Sequence, residues 1–405
     1  MPWAPSPSAR WGTGKGCPNA ANSPCWTGRT APHSADHPRR APALGAPPLT
    51  HPQPRTRPRP AEDAADRKER ALTRHLTGAT VPPAFRPWNT HRRELGEGLR
   101  HTGDHLVTVD ILDGTLTALD PATPGDGAVL LRLDVPLGAV APLAGLPGHW
   151  LAAAGTGAAV IAPDGSLTWL AHPGAADPVR SRVNDGCCDP SGRFWFGTMP
   201  YGPERGLGRL HRVDHDGSVT TVLDGLTIPN GPAFTADGTV MYLADSAEGR
   251  IDRFRADPDD GRLLDRTAFA AFAADAGSPD GMTVDDDGQL WVAVWGAGAV
   301  HRYAPDGTLT AVLPLPAVQP TSPALVNGTL FVATAAIGRT PLPDDRPDET
   351  RPGGAPRHDG RVLAAEVGAS APPARPAILH PGAPGVPSMT IAARPSGGAT
   401  HREAL

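Results

Sequence analysis

One short phrase recurs six times along the middle of this chain, and it restricts the fold more than any other feature. A glycine turn leads into a strand of apolar or aromatic residues that ends on Ala or Gly. Gly103-Asp104-His105-Leu106-Val107, Gly192-Arg193-Phe194-Trp195-Phe196-Gly197 and Gly288-Gln289-Leu290-Trp291-Val292-Ala293 are three of its copies. With Val107, Trp150, Trp195, Tyr242, Trp291 and Phe331 as register marks, the steps are 43, 45, 47, 49 and 40 residues. Steps of that length correspond to four-stranded propeller blades. Between residues 100 and 367 the short β-type runs are separated by Asp-Gly, Pro-Gly and Asn-Gly turns, with hardly any helical period. The expected fold class is therefore all-β, a six-bladed β-propeller spanning residues 83–367. Runs such as Val300-His301-Arg302-Tyr303 supply outer strands of the blades. A last strand over residues 361–367 is expected to pair with the first blade and close the ring, which removes exposed strand edges.

Composition explains what lies outside the repeat. The first 60 residues carry eight Lys or Arg against the single acid Asp36, together with 14 prolines. Such a segment buries too little apolar surface to offset the entropy of ordering, so residues 1–82 are expected to be a disordered extension. The Pro/Ala-rich residues 368–405 are expected to be a disordered tail. The extension lacks the apolar core of a secretory signal, which points to a cytoplasmic protein, and initiation at a non-Met codon such as that of Val81 would leave it unmade. No run of 18 apolar residues could span a bilayer, and a net charge of −5 favours neither nucleic acid nor an anionic membrane as partner. A monomer or weak oligomer is expected. Cys17, Cys25 and the adjacent Cys187 and Cys188 form no metal or disulfide spacing. The glycine-rich stretch 11–16 lacks the strand and helix that flank a phosphate loop.

Equivalent positions on the innermost strands of a propeller converge on its central channel. Ten to twelve residues before the register marks stand Glu97, Asn184, Asn230 and Asp280, each followed at once or after one residue by glycine. The remaining two units have Ala139 and Pro320-Thr321-Ser322 there. Two carboxylates and two carboxamides brought onto one axis call for a cation, because isolated buried charge is expensive. An all-oxygen set favours a hard ion such as Ca²⁺, Mg²⁺ or Mn²⁺. Arg182 lies two residues before Asn184 and shares its face on an extended strand, where its guanidinium suits a polar or anionic substrate group.

At these residues the sequence resembles the family of regucalcin (senescence marker protein), bacterial gluconolactonases and luciferin-regenerating enzyme. The segments that carry the resemblance are Leu95-Gly96-Glu97-Gly98, Ser181-Arg182-Val183-Asn184-Asp185-Gly186, Gly197-Thr198-Met199, Pro229-Asn230-Gly231 and Pro279-Asp280-Gly281-Met282. The resemblance implies that Glu97, Asn230 and Asp280 bind one divalent cation, Ca²⁺ foremost with Zn²⁺, Mn²⁺ or Mg²⁺ as alternatives. It also implies that Arg182 and Asn184 contact substrate. The family continues its first motif with Pro and Trp, whereas Leu99, Arg100 and His101 follow here, so one wall of the pocket is altered.

The activity implied is hydrolysis of a small-molecule sugar lactone. The cation would polarise the carbonyl, and Asp280, or a water activated by the ion, would supply the attack. A phosphotriesterase-like or broad lactone esterase on the same fold is the rival enzyme. A calcium-binding propeller without turnover is the rival of another class.

Overall fold

The computed structural model describes residues 83–339 and 357–387. Six four-stranded antiparallel sheets form the blades of a β-propeller. Their innermost strands, in order from blade 1 to blade 6, are Gly96–His101, Leu137–Pro142, Ser181–Cys188, Pro229–Phe234, Ser278–Val284 and Pro320–Val326. The six register marks fall on the second strands, Leu106–Asp110, Trp150–Ala154, Phe194–Pro200, Val240–Asp245, Leu290–Trp295 and Gly328–Thr334. Among the described residues there is no α-helix, only two short 3₁₀ turns, Pro173–Ala176 and Ser246–Glu248. No helix there is long and apolar enough to cross a membrane.

Each blade presents apolar side chains from both faces, so the core is divided into six clusters, one at each blade junction. Trp195 packs with Met241, Leu243 and Phe254 between blades 3 and 4, and Trp291 with Leu330 and Val332 between blades 5 and 6. Both indoles are almost completely buried, and each donates its N–H to the aspartate that opens the preceding turn: Trp195 to Asp189 at 3.1 Å and Trp291 to Asp285 at 2.8 Å. The Asp-x-x-Gly turn thus satisfies the one polar atom of the aromatic residue that follows it.

Ring closure differs from the sequence expectation. The strand expected over residues 361–367 is Val362–Ala369, and it pairs with Gly328–Thr334 inside blade 6 rather than with blade 1. The outermost strand of blade 6 comes from the other end of the fold, Arg86–Pro87, which pairs with Leu363 and Ala364. Overlap of N-terminal and C-terminal segments in one blade is what shuts the ring.

The tail also departs from expectation over part of its length. Residues 370–387 lie across the end of the propeller where the inner strands finish. Ala374 N donates to His101 O, Ala377 N to Pro142 O, Ile378 N to Gly192 O and His380 N to His215 O. Ala377 is completely buried. The expected extension over residues 1–82 and the rest of the expected tail, residues 388–405, lie outside the described residues, as do Cys17, Cys25 and the glycine-rich stretch near the N-terminus.

Candidate active site at the channel hub

The backbone places the polar residues through a defect repeated in every blade. Register between the first and second strands slips between Glu97 and Arg100, between Val183 and Gly186, between Asn230 and Ala233 and between Pro279 and Met282. A bulge leaves residues unpaired, bends the strand and re-aims side chains, here toward the channel. Gly98 and Gly231 follow Glu97 and Asn230 with φ of 57° and 82°, in the left-handed region that glycine tolerates. A Cβ on Gly231 would also meet the Met282 methyl at 2.9 Å.

Arg182, Asn184, Asn230 and Asp280 are tied together across three blades. Arg182 Nη1 donates to Val183 O at 2.7 Å and to Asn184 Oδ1 at 2.8 Å. Asn184 Nδ2 donates to Pro229 O at 3.0 Å and to Asn230 Oδ1 at 2.9 Å. Asn230 Nδ2 donates to Ser246 Oγ at 2.8 Å, and Ser246 Oγ to Pro279 O at 2.6 Å, one residue before Asp280. This chain fixes the orientation of both amides, so each Oδ1 is an acceptor inside the channel.

Glu97 and Asp280 complete the hub from blades 1 and 5. Both are buried, and their carboxyls are in hydrogen-bonding contact with each other. Glu97 Oε2 accepts from Gly98 N at 3.0 Å, while Asp280 Oδ1 is buried without a hydrogen-bond partner. Burial, with the charge of Asp185 adding to it, pushes the Glu97 carboxyl up to about 8. Burial and then the Glu97 charge push Asp280 well above the usual carboxylate range. Arg182 is lowered by burial, opposed by Tyr201, Glu97 and Asp280.

Two facing carboxyls, one with an orphaned oxygen, beside a fixed amide oxygen fit a hard divalent cation: an ion would remove the repulsion and satisfy Asp280 Oδ1. Among the described residues no three of His, Cys, Asp and Glu gather into a metal cage, so carboxamide oxygen and water would have to complete the coordination. All five residues singled out from the sequence, Glu97, Arg182, Asn184, Asn230 and Asp280, are thus gathered at one hub.

Other hub residues escaped the sequence reading. Asp185 is buried and paired with Arg100 at 2.9 Å. Arg100 Nη1 also reaches Ser322 Oγ at 2.9 Å, and Asp185 Oδ2 accepts from Gly231 N at 3.2 Å. Blades 1, 3, 4 and 6 are therefore joined across the channel. Beyond this tie, toward the tail, lies a cavity of about 120 Å³ lined in part by Arg100, Cys187 and Ala374. On the opposite side, beside Arg182, a more open pocket of about 440 Å³ is lined in part by Arg180, Ser181 and Tyr201.

A six-bladed propeller with two acids, two amides and an arginine at its hub defines a class of proteins built around a polar channel. Residues 95–336 match the SMP-30/gluconolactonase/LRE-like region, and the chain belongs to that family. It is similar to a pentonolactonase of Haloferax volcanii, 39% identical over 38% of this chain and 54% of the relative. A 6-deoxy-6-sulfogluconolactonase of Pseudomonas putida is 34% identical over 58% of this chain and 80% of the relative. The crystal structure of a calcium-binding protein, regucalcin, from Agrobacterium tumefaciens superposes with a TM-score of 0.63 at 28% identity, covering 74% of this chain and 98% of that one. The match to the pentonolactonase spans little more than half of its length.

Proposed function

We propose that this protein is a sugar lactonase that needs one divalent cation, with Glu97, Asn230 and Asp280 as the ligands. The observation that carries this reading is the pair of buried, facing carboxyls with Asp280 Oδ1 left without a partner. Lactonases among the relatives support the substrate class, and the calcium-binding regucalcin supports the ion, Ca²⁺ foremost.

The chemistry a divalent cation supplies at such a position is Lewis-acid polarisation of the lactone carbonyl and neutralisation of charge building on its oxygen. The chain's own groups do the rest. Arg182 spends Nη1 on Val183 O and Asn184 Oδ1, which aims its remaining N–H donors at oxygens of the bound ring. Asn184 holds Asn230 in place and thereby the acceptor Oδ1 that faces the hub. Asp280, through the carboxylate oxygen that the ion leaves free, takes a proton from the water that adds to the carbonyl carbon. When the ring C–O bond breaks, that proton passes to the departing ring oxygen, giving the open-chain hydroxy acid.

A pH-indicator assay on a panel of aldonolactones tests the reading, run on chelated protein and after Ca²⁺, Mn²⁺, Mg²⁺ or Zn²⁺ is restored. Metal-dependent acid release on at least one lactone is expected. Cation binding without turnover on any lactone would instead identify a non-catalytic propeller, and turnover confined to organophosphates a phosphotriesterase.

A further inference from the structure

Arg100 plays no part in the chemistry above, yet its guanidinium is built into the hub. Nη1 donates to Leu99 O and to Ser322 Oγ, both at 2.9 Å, and Nη2 to Asp185 Oδ1 at 2.9 Å and to Gly186 O at 3.2 Å. Asp185 is held as firmly, since Oδ1 also accepts from Gly186 N at 2.7 Å and Oδ2 from Gly231 N at 3.2 Å. Asp185 follows Asn184, Gly231 follows Asn230, and Arg100 shares its strand and its bulge with Glu97. The ion pair is thus tied through neighbouring backbone to the residues that face the channel.

The charges at the hub give this pair a purpose. Glu97 and Asp280 together offer two negative charges, the match of a divalent cation. Asp185 is a third buried carboxylate, and its charge acts on both of them. Without a counter-ion it would make the hub a site of three carboxylates. Coulomb attraction grows in proportion to the charge of the bound ion, so such a site favours a trivalent ion over a divalent one. Arg100 cancels Asp185 at hydrogen-bonding distance, where both side chains are largely buried and salt screens them little. Stability alone does not call for an ion pair at this place, because apolar residues of similar volume hold a buried site at least as well.

We propose that Arg100 is the built-in counter-ion of Asp185 and thereby a determinant of ion specificity, holding the hub to a divalent cation and against a trivalent one of similar size. The proposal rests on the cation reading given above, and it is read by binding rather than by turnover.

Calorimetric titration of the metal-free protein at neutral pH with Ca²⁺ and, separately, with Tb³⁺ tests it. The ratio of the two affinities within one variant does not depend on the fraction of protein competent to bind, so partial unfolding leaves it unmoved. Arg100→Met should bind Ca²⁺ about 10²-fold and Tb³⁺ about 10³-fold tighter than the wild type, raising the ratio about tenfold in favour of Tb³⁺. Arg100→Lys keeps the charge without the fork, and Arg100→Met combined with Asp185→Asn removes both charges. Each should leave the ratio within about threefold of the wild-type value. Asp185→Asn alone leaves the guanidinium uncompensated and should lower the ratio about tenfold, which decides the matter should Arg100→Met not fold. A ratio that stays unchanged in Arg100→Met or in Asp185→Asn, or that shifts as far in Arg100→Lys as in Arg100→Met, would overturn the proposal. A wild-type protein that takes up neither ion would overturn the cation reading itself.

Discussion

Arg100 and Asp185 meet across the channel from blades 1 and 3, with Nη2 2.9 Å from Oδ1 and only 12% and 1% of the two side chains exposed. Asp185 follows Asn184, and its charge raises both Glu97 and Asp280. The guanidinium of Arg100 offsets that charge and keeps the hub from holding three uncompensated carboxylates.

Removing Arg100 alone leaves a buried carboxylate without its cation. Arg100→Met should cost about 3–5 kcal/mol of stability, whereas adding Asp185→Asn to it should recover most of the loss. Denaturant unfolding of the two single variants and the double variant measures this coupling. Losses that simply add would mean that the pair is not coupled.

The two facing carboxyls make the metal-free protein sensitive to alkali. Glu97 rises from 4.5 when unfolded to about 8 when folded, so the folded state holds a proton that the unfolded state releases. That contribution is complete below pH 4.5 and is lost as pH rises through 8. His211, held down to about 4 by burial, acts in the opposite sense but only below its ordinary value of 6.5. Chelated protein should therefore melt lower at pH 8.5 than at pH 6.5, and Ca²⁺ should close the gap. Calorimetry in two buffers should also show protons released as the ion binds.

Asp280→Asn keeps the side chain's shape and removes the proton acceptor and the charge. Lactone turnover should fall by about 10²–10⁴-fold. Arg182→Lys should chiefly raise KM, because the fixed fork that reaches Asn184 and the ring is replaced by a point charge. Initial-rate kinetics separate the two effects.

The segment over residues 370–387 is held to blades 1, 2 and 3 by backbone hydrogen bonds and by Ala377. Ending the chain after Ser370 should destabilise the propeller by about 3 kcal/mol, a few net hydrogen bonds and one buried side chain. Thermal unfolding of the truncated chain measures it.

The blades were legible because each repeats a glycine turn and a buried aromatic at a nearly constant interval, and Trp195 and Trp291 occupy equivalent places. The hub residues were legible for the same reason: offsets of ten to twelve residues from those marks put Glu97, Asn184, Asn230 and Asp280 on inner strands. Arg100 was not, since the bulge after Glu97 breaks the two-residue alternation from which facing could be read. The partner of Val362–Ala369 was hidden because the strand that completes blade 6, Arg86–Pro87, is two residues long and has no pattern of its own. The tail is held largely through main-chain N–H groups, and these leave no trace in side-chain composition.

The central claim is that one cation, held by Glu97, Asn230 and Asp280, is required for lactone hydrolysis. Titrating Ca²⁺ into chelated protein while following acid release from an aldonolactone addresses it most directly. Rates should rise from background to a plateau at one ion per chain, with no such rise in Asp280→Asn. Full turnover in the chelated protein, or an unchanged titration in Asp280→Asn, would contradict the claim.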